Sequence, residues 1–506
     1  MVDFDSRLID VPHASGKLAR ETNWWGAFVI GLAGTVLIIG LIGYALVALG
    51  GLAIVLFAVI TAIGVFLCFC LAEMAATWPE RAGGLPSYAF ETFKPVGDRF
   101  AAHVGGLSSW AYWLGWFTVA PINAYLAASY IVQLFSIDFG GSFGPITPKF
   151  GAEIPVDVFV IGTLLLLVMF VPCWLGIRLG AAFATFLGIG TMVPLVLLVV
   201  LPFFKPSSLN GFDNLNLHLP TGVTGSWQLI LGWSFIFTWT VLAMEAAACY
   251  IGECREPVRD AKIAITAEGL FGFFIYLTLP IMVFTVLGAT GLTQLATDNE
   301  GWIGDANVLF EGYVDTIFGN SVVWEWLVGL TLIVALSLSV LNAIMGASRG
   351  LYQNAQDGIL PKAFGWVNKH QAPSFSMLLS LGCSIAVLTL GSPLQIYIFS
   401  NMGYLFALAV SLVGYGIFRS MREETPRELK MPRAFGPIGF FFGIAGLLLW
   451  AIGGYYAADY AVGPGYRWLY WIGLLLVALY FPLYWWRMLE DRTAAAKGGS
   501  EPESSG

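Results

Sequence analysis

The chain has 506 residues, of which 58% are hydrophobic and only 11% charged, with a mean hydropathy of +0.78 and a net charge of −8. A soluble domain carries about a quarter charged residues, so the composition excludes a water-soluble globule. No nucleic-acid partner is expected; the bilayer is.

In chain order, residues 1–22 are polar, mixed in charge, and read as a solvated tail. The first apolar run is too long for a signal-peptide core and has no cleavage site. Twelve apolar segments of about the 20 residues needed to cross a bilayer follow, near 24–47, 52–77, 103–135, 156–176, 182–204, 226–251, 263–288, 322–355, 374–391, 394–418, 436–457 and 467–487. They predict an all-α integral membrane protein with one twelve-span domain over 23–490 and a second short tail over 491–506. The six cysteines lie in or beside these segments, without the spacing of a disulfide framework or a zinc pair. They read as core thiols. No metal or cofactor is expected.

The Lys and Arg positions orient the chain. With these segments, 21 of the 24 fall on one side and only Lys149, Lys205 and Arg467 on the other. That bias predicts cytoplasmic termini. The connection 289–321 holds Asp298, Glu300, Asp305, Glu311 and Asp315 and no Lys or Arg, as expected of an outside loop.

Two segments carry features that a lipid anchor does not need. Segment 6 contains Glu245 among small residues, then Glu253, Arg255, Pro257, Arg259 and Asp260 at its exit. Ionisable groups at membrane depth are costly and usually face a partner or a wet path. Glu245 is the one acid placed near mid-membrane. Segment 1 contains Gly31-Leu-Ala-Gly34-Thr35, which reads either as a close helix–helix contact or as a broken helix. Segment 6 lies five segments after segment 1, so two halves of opposite orientation are expected, about 23–204 and 226–418, with 436–487 as additions. Paired broken helices at corresponding places mark an inverted-repeat transporter.

Four stretches resemble the amino acid–polyamine–organocation permeases over essentially the whole chain. They are Leu71–Tyr88, Glu245–Asp260 and Ala347–Pro361, with segment 1 as a looser match. The resemblance implies a five-plus-five inverted repeat of transmembrane helices with discontinuous helices 1 and 6, and transport of amino acids or related amines. It implies that the backbone of helix 1 takes a substrate carboxylate, for which helix N-termini are suited, and that of helix 6 the amino group. By position the candidates are Gly31, Ala33, Gly34 and Thr35, then Thr238, Trp239, Thr240 and Ala243. The usual Gly-small-Gly of helix 1 is not intact, so a substrate without an α-carboxylate stays open.

Trp239, six residues before Glu245, resembles the substrate-capping tryptophan of arginine–agmatine exchangers; the alternative is a lipid-facing ring. Asn342 is expected to face the pocket, and Asn123 to face it or to tie helices together. Glu245 is assigned to coupling or pH sensing, because desolvation penalises its charge; the alternative is a packing carboxyl that never titrates. Segment 5 lacks the lysine found in many proton-coupled relatives, with Thr191 near that place. Sodium sites of this fold use span 1 backbone and span 8 hydroxyls, here Ser337 and Ser339, although such serines usually bond their own backbone. Glu73, Arg81, Arg255, Arg259, Arg349 and Asp357 are expected at the cytoplasmic edge, as ion pairs or as a solvated rim. Neither an enzyme nor an ATP-driven pump is expected: the four histidines lie outside or at the ends of segments, and no phosphate-cradling Gly-x-x-x-x-Gly-Lys loop occurs. A secondary transporter of an amino acid, proton-linked or exchanging, is the expectation. The alternative is a polyamine or small-amine permease.

Overall fold

The computed structural model describes residues 17–147, 149–209, 217–220, 222–298, 306–421 and 424–498. Among them, eleven helices are long and apolar enough to cross a membrane, and each coincides with an expected segment. The segment expected at 374–391 forms a shorter apolar helix of 15 residues, Ser374–Leu388. The helix Pro257–Asp298 is broken at Gly288, whose φ of 65° ends the expected seventh segment. The only sheet among the described residues is a two-stranded hairpin, Ser142–Phe143 against Ile154–Pro155.

Burial sorts the spans into an inner and an outer group. Of the most apolar stretch of each, 89% is buried in Trp24–Leu49, 83% in Trp227–Glu253 and 89% in Pro393–Met421, against 17% in Phe435–Ala461 and 22% in Trp468–Ala494. The segments that carry the candidate residues therefore form the centre, and the last two spans cover it from outside.

One end of the bundle gathers Arg81, Arg349, Lys362, Arg419, Arg427 and Arg487. Thr22 pairs with the backbone after span 6, its N–H on Glu253 O at 3.2 Å. Arg81 bridges Asp357 (Nη1 to Oδ1, 3.2 Å) and Glu91 (3.0 Å), tying the exits of spans 2 and 8. The last helix reaches the same place, where the Arg487 guanidinium donates to Leu360 O at 3.0 Å and Glu490 accepts Lys362 N–H at 2.9 Å. That helix continues to Gly498, into the stretch expected as a tail. At the opposite end, the connection expected as an outside loop contains a packed helix, Ala306–Phe318, which buries Leu309, Phe310, Tyr313, Val314 and Ile317. The expected acids Glu300 and Asp305 lie outside the described residues.

A solvated rim is not what Glu73, Arg81, Arg349 and Asp357 form. Glu73 is fully buried and accepts from Arg419, Arg427 and Tyr415. Arg349 is 1% exposed and paired through two nitrogens with Glu253, Nη2 to Oε1 at 3.0 Å. Arg255 and Arg259 do stay exposed. Removing one partner of a buried pair strands the other charge, at about 3–5 kcal/mol. Arg349→Met should therefore lower the melting temperature sharply, and adding Glu253→Gln should recover part of the loss. Thermal unfolding of the two variants in detergent checks this; equal melting of the single and double variants would contradict it.

Candidate substrate-binding site

Both central helices are broken where the sequence suggests, in an unexpected form. Span 1 runs as α-helix over Trp24–Gly31, capped by Asn23 accepting Gly26 N–H at 3.1 Å, then tightens into a 3₁₀ helix over Leu32–Gly40. Span 6 is α-helical over Trp227–Val241, turns at 242–245, and continues as a 3₁₀ helix over Ala246–Glu253. Such helices rarely exceed 3–4 residues, and a stretch inside a longer helix often marks a hinge. Here 9 and 8 residues adopt it, one stretch in each broken span.

The breaks lie against each other, which requires glycine. A Cβ on Gly34 would stand 1.8 Å from Ala243 O, and one on Gly31 would stand 2.6 Å from Ala247 N and 2.8 Å from Glu268 Oε1. In both spans the backbone of one break is the wall of the other.

Side chains from other spans take up the backbone groups freed there. The Tyr276 hydroxyl lies 2.7 Å from both Gly34 O and Thr240 O, so it shares its proton between the two breaks. Ser339 donates to Ala33 O at 2.9 Å, while Ser337 bonds its own helix at Ile333 O. The Glu268 carboxylate accepts Ala246 N–H at 3.1 Å and Ala247 N–H at 2.8 Å, capping the second half of span 6. Carboxylates are favoured at such a helix start.

Glu268 corrects the expectation of a single mid-span acid. Glu245 and Glu268 are both fully buried and both belong to this turn. Glu245 accepts from Tyr112 OH (3.1 and 3.2 Å), Tyr404 OH (2.8 Å) and Trp116 Nε1 (3.4 Å). Its donors are thus neutral groups from spans 3 and 10, and none of its ion pairs is seen among the described residues.

Trp239 is buried inside the bundle, which excludes the lipid-facing alternative. Its Nε1 donates to Ser400 Oγ at 2.7 Å and its ring lies 4.5 Å from that of Tyr397. Thr238 donates to Phe235 O at 2.6 Å and accepts from Asn401 at 3.1 Å. Asn342 faces inward and accepts from Tyr250 OH. The Thr35 and Thr240 hydroxyls and the Asn342 amide nitrogen are buried with no hydrogen-bond partner among the described residues. A buried polar group left in that state costs about 1–3 kcal/mol. These groups come one from each of spans 1, 6 and 8. Asn123 and Thr191 do not join them: each bonds its own helix, at Val119 O and Leu187 O.

The sequence reading overlooked Glu268, Tyr276, Tyr112, Trp116, Tyr404 and Ser400. A signal existed for Glu268, an acid inside an expected span. Tyr112 and Trp116 stand four residues apart, on one helix face.

Two apposed helix breaks buried in a bundle of membrane-length helices define the class, an all-α membrane transporter. A family model described as amino acid permease matches residues 23–481, and the chain belongs to that family. It is 26% identical over 310 residues to an arginine/agmatine antiporter of Chlamydia trachomatis serovar L2, a match spanning 60% of this chain and 57% of that protein. An uncharacterized transporter of Legionella pneumophila is 24% identical over 416 residues, 76% of this chain and 77% of its own. A putative amino-acid transporter of Clostridium perfringens strain 13 is 26% identical over 330 residues, 64% of this chain and 62% of its own. The chain thus spans less than two thirds of the length of the antiporter that it matches.

Proposed function

We propose that the protein is a secondary active transporter that moves an amino acid across the cytoplasmic membrane by alternating access. It has twelve transmembrane spans, the helix Ser374–Leu388 being the ninth, and the five-plus-five inverted repeat. The observation that carries this reading is the apposition of the two breaks, with Thr35, Thr240 and Asn342 around them. The substrate lies between spans 1, 6 and 8 and Trp239 closes over it from the outer side. Movement is proton-linked or by exchange, with Glu245 as the coupling group. Termini and basic end are cytoplasmic, by the bias of Lys and Arg. Purified protein in liposomes preloaded with one amino acid should then accumulate the labelled form faster than empty liposomes, and saturably. Flux rising linearly with concentration, without counterflow, would instead indicate a channel.

A polyamine or small-amine permease is the second reading. Glu268 favours it beyond what the sequence suggests, since a polycation is better served by two acids, and one relative is named for arginine and agmatine. A thermal-shift screen of amino acids and amines separates the two readings. Trp239→Leu should weaken substrate binding roughly 2- to 30-fold, the range of an aromatic cap over an ammonium, with the chain still folded. An unchanged apparent affinity would return Trp239 to packing alone.

A further inference from the structure

A cavity at the basic end, away from the helix breaks, has its own chemistry. It measures about 450 Å³ and lies between the end of Pro393–Met421, the connection that follows, and the start of Phe435–Leu448. Among the described residues, Arg419, Arg427, Lys430 and Arg433 line it and no acid does. Glu73 is paired with Arg419 (2.6 Å) and Arg427 (3.1 Å), which leaves Lys430 and Arg433 for a ligand. Glu424 and Glu428 belong to the same connection but do not line the cavity. Lys430 and Arg433 are exposed, with no ion pair among the described residues.

The site is held in shape. The second guanidinium nitrogen of Arg419 donates to Met431 O at 2.9 Å and Pro432 O at 3.0 Å, and Met431 N–H donates to Glu73 at 3.1 Å. Met431 and Pro432 are thereby fastened to spans 2 and 10, which fixes the backbone between Lys430 and Arg433.

One wall decides the kind of anion. Phe440 lines the cavity and is 44% exposed, and Phe441 and Leu448 on the same span are 66% and 58% exposed. This span is the least buried of the eleven membrane-length helices, so its apolar side chains are the ones that lipid would meet. The cavity therefore opens where an acyl chain would lie, and basic pockets between helices at a membrane surface suit anionic head groups. We propose that this cavity binds an anionic phospholipid, its phosphate held by Lys430 and Arg433 beside Arg427, and its acyl chains along the span that begins at Phe435. This does not rest on the transport reading, because the binding is read without a transport substrate.

The full-length protein in neutral detergent is titrated with dioleoylphosphatidylglycerol, dioleoylphosphatidylcholine or inorganic phosphate while its melting temperature is followed. Phosphatidylglycerol should raise it, and the other two should not. Lys430→Gln combined with Arg433→Gln should weaken the phosphatidylglycerol response about tenfold or more. Both side chains are exposed, so the fold should persist; the two single variants should show smaller losses in the same direction. Arg259→Gln combined with Lys262→Gln, on the same basic end, should bind like the parent. An equal response to phosphatidylcholine, a response to inorganic phosphate matching that to phosphatidylglycerol, an unchanged affinity in the 430/433 variant, or an equal loss in the 259/262 variant would each overturn the proposal.

Discussion

Glu245→Gln should flatten the pH profile of transport while leaving substrate binding within a few-fold of the parent. Glu245 is fully buried and surrounded by the Tyr112 and Tyr404 hydroxyls and the Trp116 indole, with Cys249 beside Tyr112 and Glu268 capping the same turn. Those donors suit a carboxylate, but they carry no positive charge. Under the proposed alternating access, in which the site is dry and then wet, the carboxyl would take up and release a proton, whereas an amide of the same shape cannot. A single titrating group gives up to about tenfold per pH unit, and that slope should disappear from uptake measured in liposomes between pH 5 and 8. Glu311 needs a control, because burial, with Glu325 and Asp315 nearby, pushes its carboxyl up to about 7 at the opposite end of the bundle. Being protonated more readily when folded, it contributes stability below the usual carboxylate range that is lost as the pH rises through about 7. Glu311→Gln should therefore alter stability against pH without altering the transport profile. If Glu245→Gln overlays the wild-type profile, Glu245 is a packing carboxyl and the proton, if any, moves elsewhere.

Gly34→Ala should remove most of the transport. The added methyl would sit 1.8 Å from Ala243 O, a backbone atom that cannot rotate away. Spans 1 and 6 would have to separate, breaking the Tyr276 bridge from Gly34 O to Thr240 O. Overpacking alone typically costs about 1–3 kcal/mol, so some of the protein should remain foldable and testable. Gly188→Ala is the comparison: its nearest neighbour would be Val29 Cβ at 3.4 Å, an ordinary contact. A small effect, within about 0.5 kcal/mol, is expected there. Equal transport by the two variants would show that the close approach of the breaks is not needed for function.

The sequence by itself determined the features that the solvent imposes. A bilayer demands about 20 apolar residues per crossing, and that demand is written locally. The apolar runs accordingly coincide with eleven membrane-length helices and the short Ser374–Leu388. The breaks were legible for a related reason, since Gly31, Gly34 and the small residues after Glu245 are local departures from a good helix. Tertiary structure decided what those residues touch. The donors to Glu245 stand 129, 133 and 159 residues away. Glu268 was visible as an acid, but its task as the cap on Ala246 and Ala247 exists only because spans 6 and 7 converge. Asn123 and Ser339 look alike as polar residues in apolar spans, yet one bonds its own helix and the other reaches span 1. Hydropathy is a property of each segment in its solvent, whereas a hydrogen-bond partner is a property of which segments meet, and a membrane helix does not carry that information in its own period.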